Sequence, residues 1–144
     1  MIARGLLLSA LGLSLLVPAG SALAQKNNPD AATVLLLSGG QRQHHGYRDQ
    51  ALYLSKLLED TGRFSVTIAE DAAILETPAL AKYDVLIVTA DRRDPEHRLT
   101  DAQQEAIFRF VRSGHGYVSI HGADNTPNDL TDQQTTSWKE LLGG

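Results

Sequence analysis

Apolar runs alternate with amphipathic segments along the chain from residue 33 to residue 142. Thr33–Ser38 is apolar without alternation and precedes paired glycines, which is typical of a central strand buried on both faces. Phe64–Ala69 alternates apolar and polar positions, as an edge strand does. Tyr83–Thr89 and Gly116–Ile120 are again mostly apolar. This pattern predicts four strands.

Helical periodicity fills the segments between strands 1 and 2 and between strands 3 and 4. The first predicted helix carries apolar residues at helical spacing, which are Tyr47, Ala51, Leu54 and Leu58. It ends before Gly62. The second begins at a capping box, Thr100–Gln103, and ends at Gly114. Ser137–Leu142 predicts a last short helix.

Strands and helices in this order predict an α/β fold with a parallel sheet and right-handed crossovers. We expect the flavodoxin-like strand order 2-1-3-4. In such sheets ligands bind beyond the carboxyl ends of the strands, where the strand order reverses. The candidate site therefore comprises the loops 39–46, 90–99 and 121–128.

The first 24 residues have the pattern of a cleaved export signal. A basic start at Met1–Arg4 precedes the apolar segment Gly5–Val17, and Ala22–Ala24 supplies a small-x-small cleavage motif. As a membrane anchor, an apolar helix of that length would reach only about 20 Å, short of a hydrocarbon core of roughly 30 Å. We therefore expect a signal peptide over 1–24, a flexible leader over 25–32, and a periplasmic or extracellular product.

Composition narrows the function classes further. The chain has no cysteine, so neither disulfides nor thiolate chemistry are available. Its formal net charge is −4, and its basic residues do not cluster strongly, which argues against a nucleic-acid or membrane-surface partner. We expect a small-molecule partner, and the sequence does not indicate an oligomeric state.

The loop after strand 1 holds the first candidate chemistry. Gly39 and Gly40 let the backbone approach a ligand, and two histidines follow, His44 and His45. This spacing matches neither a dinucleotide fingerprint nor a phosphate loop, so a plain tight turn is an equal alternative. Neighbouring side chains diverge, and we favour His45 as the one that faces the site because it lies closer to the helix start.

The loop after strand 4 holds the second candidate. Small residues around His121 indicate a sharp turn that projects its imidazole over the sheet edge, where it could act as a general acid or base. A histidine hydrogen-bonded within the turn is the alternative. Asp124 could orient His121, bind hydroxyl groups, or cap the next helix.

The loop after strand 3 is charged, and a solvated loop is its plainer interpretation. Arg92 or Arg93 could still reach a substrate, because strand 3 lies between strands 1 and 4 in the predicted sheet. With strands about 4.8 Å apart, the ends of strands 1 and 4 lie roughly 10 Å from each other. That gap suits a small ligand between His45 and His121. A divalent metal held by these histidines and a carboxylate is a further possibility, although no local spacing matches a known metal motif.

Three segments together resemble the ThuA-like (trehalose utilisation) family. They are Val34–Gly40 with His44 and His45, Gly114–Ala123, and Trp138 with Leu141–Gly144. The resemblance implies a domain over 33–144 with a three-layer fold similar to class I glutamine amidotransferases. It also implies action on trehalose-type disaccharides or their keto derivatives, for which histidine acid/base chemistry is suited.

Two departures qualify what the resemblance implies. The amidotransferases carry a nucleophilic cysteine where this chain has His121, so thiolate hydrolysis of glutamine is excluded. ThuA-like domains usually continue past the Leu-Leu-Gly-Gly segment, so we expect a C-terminally truncated domain with an incomplete sheet. The alternatives to an enzyme are a sugar- or polyol-binding module without turnover and an inactive fragment of a longer enzyme.

Overall fold

The computed structural model describes residues 28–40, 46–90, 97–124 and 132–143. The predicted signal peptide and residues 25–27 of the leader lie outside these ranges. The strands are β1 (Ala32–Leu37), β2 (Phe64–Ala69), β3 (Val85–Val88) and β4 (Gly116–Ser119). The helices are α1 (Tyr47–Glu59), α2 (Asp101–Arg112) and α3 (Asp132–Leu142).

The four strands form one parallel sheet in the order β2-β1-β3-β4, which confirms the predicted topology. β1 lies in the centre, where Val34–Leu37 are almost completely buried. β2 is an edge strand, and its burial alternates as its sequence does. The fold is therefore flavodoxin-like, with helices on both faces of the sheet.

The two faces of the sheet carry separate apolar cores. On one face α1 packs through Ala51 against Val34, Leu36 and Ile87. On the other face the larger core joins Leu35, Leu37, Leu86 and Val88 to α2 and α3. Successive strand residues thus supply opposite cores, as the twofold period of a strand requires.

The β4 strand is covered on one face only. Tyr117 packs towards Trp138 of α3, with ring centroids 6.3 Å apart. Val118 points to the opposite face and is 44% exposed, and Ile120 is 38% exposed. Along the described part of the chain, α1 covers β1 and β2 on that face and does not extend over β4.

The connection between β2 and β3 is a pair of 3-10 helices, Ala72–Glu76 and Pro78–Lys82. Asp71 caps the first, because its carboxylate accepts a hydrogen bond from Ala73 N at 2.9 Å. Thr77 caps the second in the same way through Ala79 N at 3.3 Å.

Helix α2 begins at the predicted capping box. Thr100 Oγ1 accepts from Gln103 N at 3.2 Å, and Gln103 Oε1 accepts from Thr100 N at 3.0 Å. Helix α3 is longer than predicted, because it starts at Asp132 and not at Ser137. Its polar first turn has no apolar face, so apolar periodicity could not reveal it.

The carboxylate of Asp84 connects the amino ends of β1 and β3 through hydrogen bonds. Its Oδ2 accepts hydrogen bonds from Thr33 N at 2.7 Å and from Thr33 Oγ1 at 2.8 Å. These two bonds favour the carboxylate and hold the pKa of Asp84 below its ordinary value. His115 lies at the same edge, where its ring stacks on Phe110 with centroids 4.3 Å apart.

None of the described helices has the length and apolarity needed to cross a membrane.

Candidate functional site

The carboxyl ends of β1, β3 and β4 meet at one edge of the sheet, where the sequence placed the candidate site. The register pairs Leu37 with Val88 and Val88 with Ser119, so the three strands end at the same level. Backbone pairing continues one residue further, because Thr89 N donates to Leu37 O at 3.0 Å and Ile120 N donates to Val88 O at 3.0 Å. These hydrogen-bonded strand ends form one side of the candidate site.

The chain turns sharply after β1. Gly39 and Gly40 have φ of 111° and 92°, a conformation that side-chain-bearing residues rarely adopt. Just before them, the hydroxyl of the buried Ser38 donates to Tyr47 O at 3.0 Å. This bond holds the start of α1 against the end of β1, and it therefore places the first turn of α1 beside the strand ends.

His121 has the strongest local signal at this edge. Among the non-glycine residues that the structure describes, it is the one with a left-handed backbone, at φ 57°. It begins a short 3-10 helix, His121–Asp124, in which Ala123 N donates to Ile120 O at 3.3 Å. A left-handed non-glycine residue costs about 1–3 kcal/mol, and such residues cluster at functional sites. The side chain is exposed, at the end of β4.

The structure brings together part of the predicted site. Gly39, Gly40 and His121 lie at the carboxyl edge, and the backbone of Asp124 ends the 3-10 helix that His121 begins. His44, His45 and Arg92 lie outside the described residues. The approach of His45 and Arg92 to His121 therefore stays a prediction.

Thr89 is a residue of the carboxyl edge that the sequence analysis did not single out. It follows β3 directly, is only 7% exposed, and lies between the ends of β1 and β4. Its Oγ1 is buried, and no atom of the described residues hydrogen-bonds to it. The sequence signal was weak, because threonine is a common strand residue and ends an apolar run here.

No cluster of three or more histidine, aspartate or glutamate side chains among the described residues could hold a metal ion. The described part of the edge carries the imidazole of His121, the glycine turn and a buried hydroxyl. This donor set is suited to binding the hydroxyl or carbonyl oxygens of a small polar molecule.

The sheet order, the two helix layers and the turns at the carboxyl edge define a flavodoxin-like α/β protein. The family model ThuA, described as trehalose utilisation, matches residues 33–144. The chain therefore belongs to the ThuA family.

Two solved structures have the same fold. A ThuA-like protein from Bacteroides uniformis aligns with a TM-score of 0.56 at 22% identity, and the alignment covers 82% of this chain and 46% of that chain. A second from Parabacteroides merdae aligns with a TM-score of 0.51 at 22% identity, over 67% of this chain and 34% of that chain. The alignments thus span less than half of either solved chain. No curated protein matches the sequence.

Proposed function

We propose that the carboxyl edge of the sheet binds a small carbohydrate, of the trehalose or keto-sugar type, and that His121 exchanges protons with it. The observation that carries this proposal is the left-handed backbone of His121 at the end of β4. A strained conformation persists only where the surrounding fold enforces it, and the exposed imidazole lies at the sheet edge where ligands bind in open α/β folds. Membership of a family described as trehalose utilisation supports the substrate class.

The chemistry proposed for His121 is a proton transfer beside the carbonyl group of a keto-sugar; trehalose has no carbonyl group, so it would bind without this step. Neutral imidazole accepts the proton from the carbon next to the carbonyl group, and the C–H electron pair moves into an enolate. The imidazolium then gives the proton to the enolate oxygen, which leaves the enol tautomer of the sugar. His45 is proposed as the second acid/base group on the opposite side of the ligand, while Gly39, Gly40, His44, Arg92 and Asp124 are proposed to bind it.

Thermal unfolding tests the binding step. A protein of residues 25–144 is heated with and without trehalose, related glycosides and keto-sugars. A ligand that binds the native state raises the midpoint by mass action, roughly 2.7 kcal/mol of stabilisation at a hundredfold excess over Kd. We expect His121→Gln to weaken this effect and His115→Gln, a histidine at the opposite edge, to preserve it.

Turnover tests the acid/base step. Product formation from any sugar that binds is followed in the wild type, in His121→Gln and in His45→Gln. We expect each variant to lose at least about a hundredfold in rate, which is the lower end for general acid/base catalysis. Unchanged turnover after both replacements would refute the proposed chemistry.

A binding module without turnover is the second candidate. The described groups of this edge favour it, because one imidazole, a glycine turn and a hydroxyl can bind a sugar without the second acid/base group that the proposed proton transfer uses. A midpoint that rises with sugar in a protein that forms no product would identify this function. A chain without a cooperative unfolding transition would instead be an inactive fragment.

We also propose that the protein is exported. The basic start, the apolar segment Gly5–Val17 and the motif Ala22–Ala24 support a signal peptide. Expression in a Gram-negative host should yield a periplasmic product whose first residue is Gln25. A cytoplasmic product that retains Met1 would contradict this proposal.

A further inference from the structure

The hydroxyl of Thr89 is an anomaly in the described part of the structure. Buried polar groups are almost always hydrogen-bonded, and one left without a partner destabilises the folded state. Thr89 is 7% exposed, and its Oγ1 is buried without a partner among the described residues. Valine has the same shape and would avoid this cost. Nothing among the described residues accounts for a hydroxyl in place of a methyl group at this position.

Thr89 lies in the middle of the carboxyl edge of the sheet. The register that pairs Leu37 with Val88 places Thr89 beside Ser38, and the register of β3 with β4 places it beside Ile120. Neighbouring strands are about 4.8 Å apart, so Thr89 lies one strand from the glycine turn and one strand from the residue that precedes His121.

Thr89 also faces α1. Ile87 belongs to the core under α1, whereas Val88 belongs to the core on the other face. Alternation along the strand turns Thr89 towards the α1 face again. Ser38 lies on that same face, because its hydroxyl contacts the carbonyl of Tyr47 in the first turn of α1. The unpaired hydroxyl is thus directed to the space between the strand ends and the start of α1.

We propose that Thr89 is a ligand-binding residue of the carboxyl-edge site, and that its hydroxyl hydrogen-bonds to a hydroxyl or carbonyl oxygen of the bound sugar. This inference rests on the proposed function for the nature of the ligand. A threonine hydroxyl both donates and accepts, which suits the hydroxyl groups of a polyol. In the free protein the same hydroxyl lowers stability, as polar groups at functional sites often do.

Replacing Thr89 by valine separates the structural role from the binding role. We expect Thr89→Val to unfold at the same temperature as the wild type or up to roughly 5 °C higher, because it removes an unpaired buried hydroxyl. Thr89→Ser keeps the hydroxyl and should keep any ligand effect. Ser38→Ala is the matched control, since it removes a neighbouring hydroxyl that is hydrogen-bonded, and we expect it to lower the midpoint.

Titration with trehalose, followed by the rise in unfolding temperature, completes the test. We expect an apparent Kd at least about tenfold weaker for Thr89→Val than for the wild type, and nearly unchanged for Thr89→Ser.

Two results would overturn the inference. A midpoint several degrees lower for Thr89→Val without sugar would show that the hydroxyl has a structural partner. Unchanged trehalose affinity in that variant would show that the ligand does not use it. If trehalose stabilises not even the wild type, the proposed sugar function fails, and the sugar-free comparison of Thr89→Val with Ser38→Ala still decides whether the hydroxyl is structural.

Discussion

The contact between α3 and α2 depends on a buried hydrogen bond whose contribution to stability can be measured. Trp138 is 6% exposed, and its indole Nε1 donates to Gln104 Oε1 at 2.9 Å. Gln104 is 3% exposed, and its Nε2 donates to Leu99 O at 3.2 Å. The ring of Trp138 also packs edge to face on Phe108, with centroids 5.1 Å apart. One glutamine therefore joins α3, α2 and the segment before α2.

Gln104→Met should destabilise the protein by about 2–4 kcal/mol. Methionine preserves the approximate volume but removes one acceptor and one donor, so the buried indole N–H and the carbonyl of Leu99 both lose their partner. Each lost bond costs about 1 kcal/mol net, and each buried group left unpaired adds to that figure. Trp138→Phe should cost about 2–3 kcal/mol, because it removes part of a buried ring and leaves Gln104 Oε1 unpaired.

The double variant tests whether the two residues act through their shared bond. Because Gln104→Met and Trp138→Phe each break the same hydrogen bond, their combined effect should fall short of the sum by about 1 kcal/mol or more. Urea unfolding of residues 25–144 gives the three free energies, provided that the m-value stays constant. Gln133→Met, an exposed position on α3, is the control and should change stability by less than about 0.5 kcal/mol. Single effects below about 0.5 kcal/mol, or strict additivity, would refute the proposed contact.

Three further predictions follow from the strand ends, a helix end and the core. Asp84→Asn should lower the unfolding temperature at pH 7, because the hydrogen bonds from Thr33 hold the pKa of Asp84 below its ordinary value and so stabilise the fold while the carboxylate is charged. This contribution is lost as pH falls through the depressed pKa of Asp84. The unfolding temperatures of variant and wild type should therefore converge below about pH 4. A constant difference between the two unfolding temperatures down to about pH 2 would contradict this prediction. Gly114→Ala should cost about 1 kcal/mol in urea unfolding from strain alone, since φ is 100° and an added Cβ meets no atom within 4 Å. Leu35 is 0% exposed, and Leu35→Ala should lower the free energy of unfolding by about 2–5 kcal/mol. Leu52 is 54% exposed, and Leu52→Ala should lower it by less than about 1 kcal/mol. Equal losses of stability would mean that the core is misassigned.

The strand order of the sheet was predictable because central and edge strands are buried differently and therefore have different sequence patterns. The uninterrupted apolar run of β1 indicated a central strand, and the alternation of β2 indicated an edge, as the structure confirms. Features determined by single hydrogen bonds were not predictable in this way. The 3-10 helices that begin after Asp71 and Thr77 depend on capping bonds, and the first turn of α3 has no apolar face.

The candidate site likewise has one feature that the sequence predicted and one that it did not. Small residues after β4 predicted a sharp turn at His121, and the structure has that turn with a left-handed backbone. Thr89 gave no comparable signal, because threonine ends many strands and its importance depends on whether its hydroxyl has a partner. Pattern reasoning identifies a residue whose backbone must bend in an unusual way. It does not identify a residue whose backbone is ordinary and whose side chain lacks a hydrogen bond. Both residues lie at the ends of neighbouring strands, β3 and β4, so a ligand that reached the left-handed turn would also lie near the buried hydroxyl.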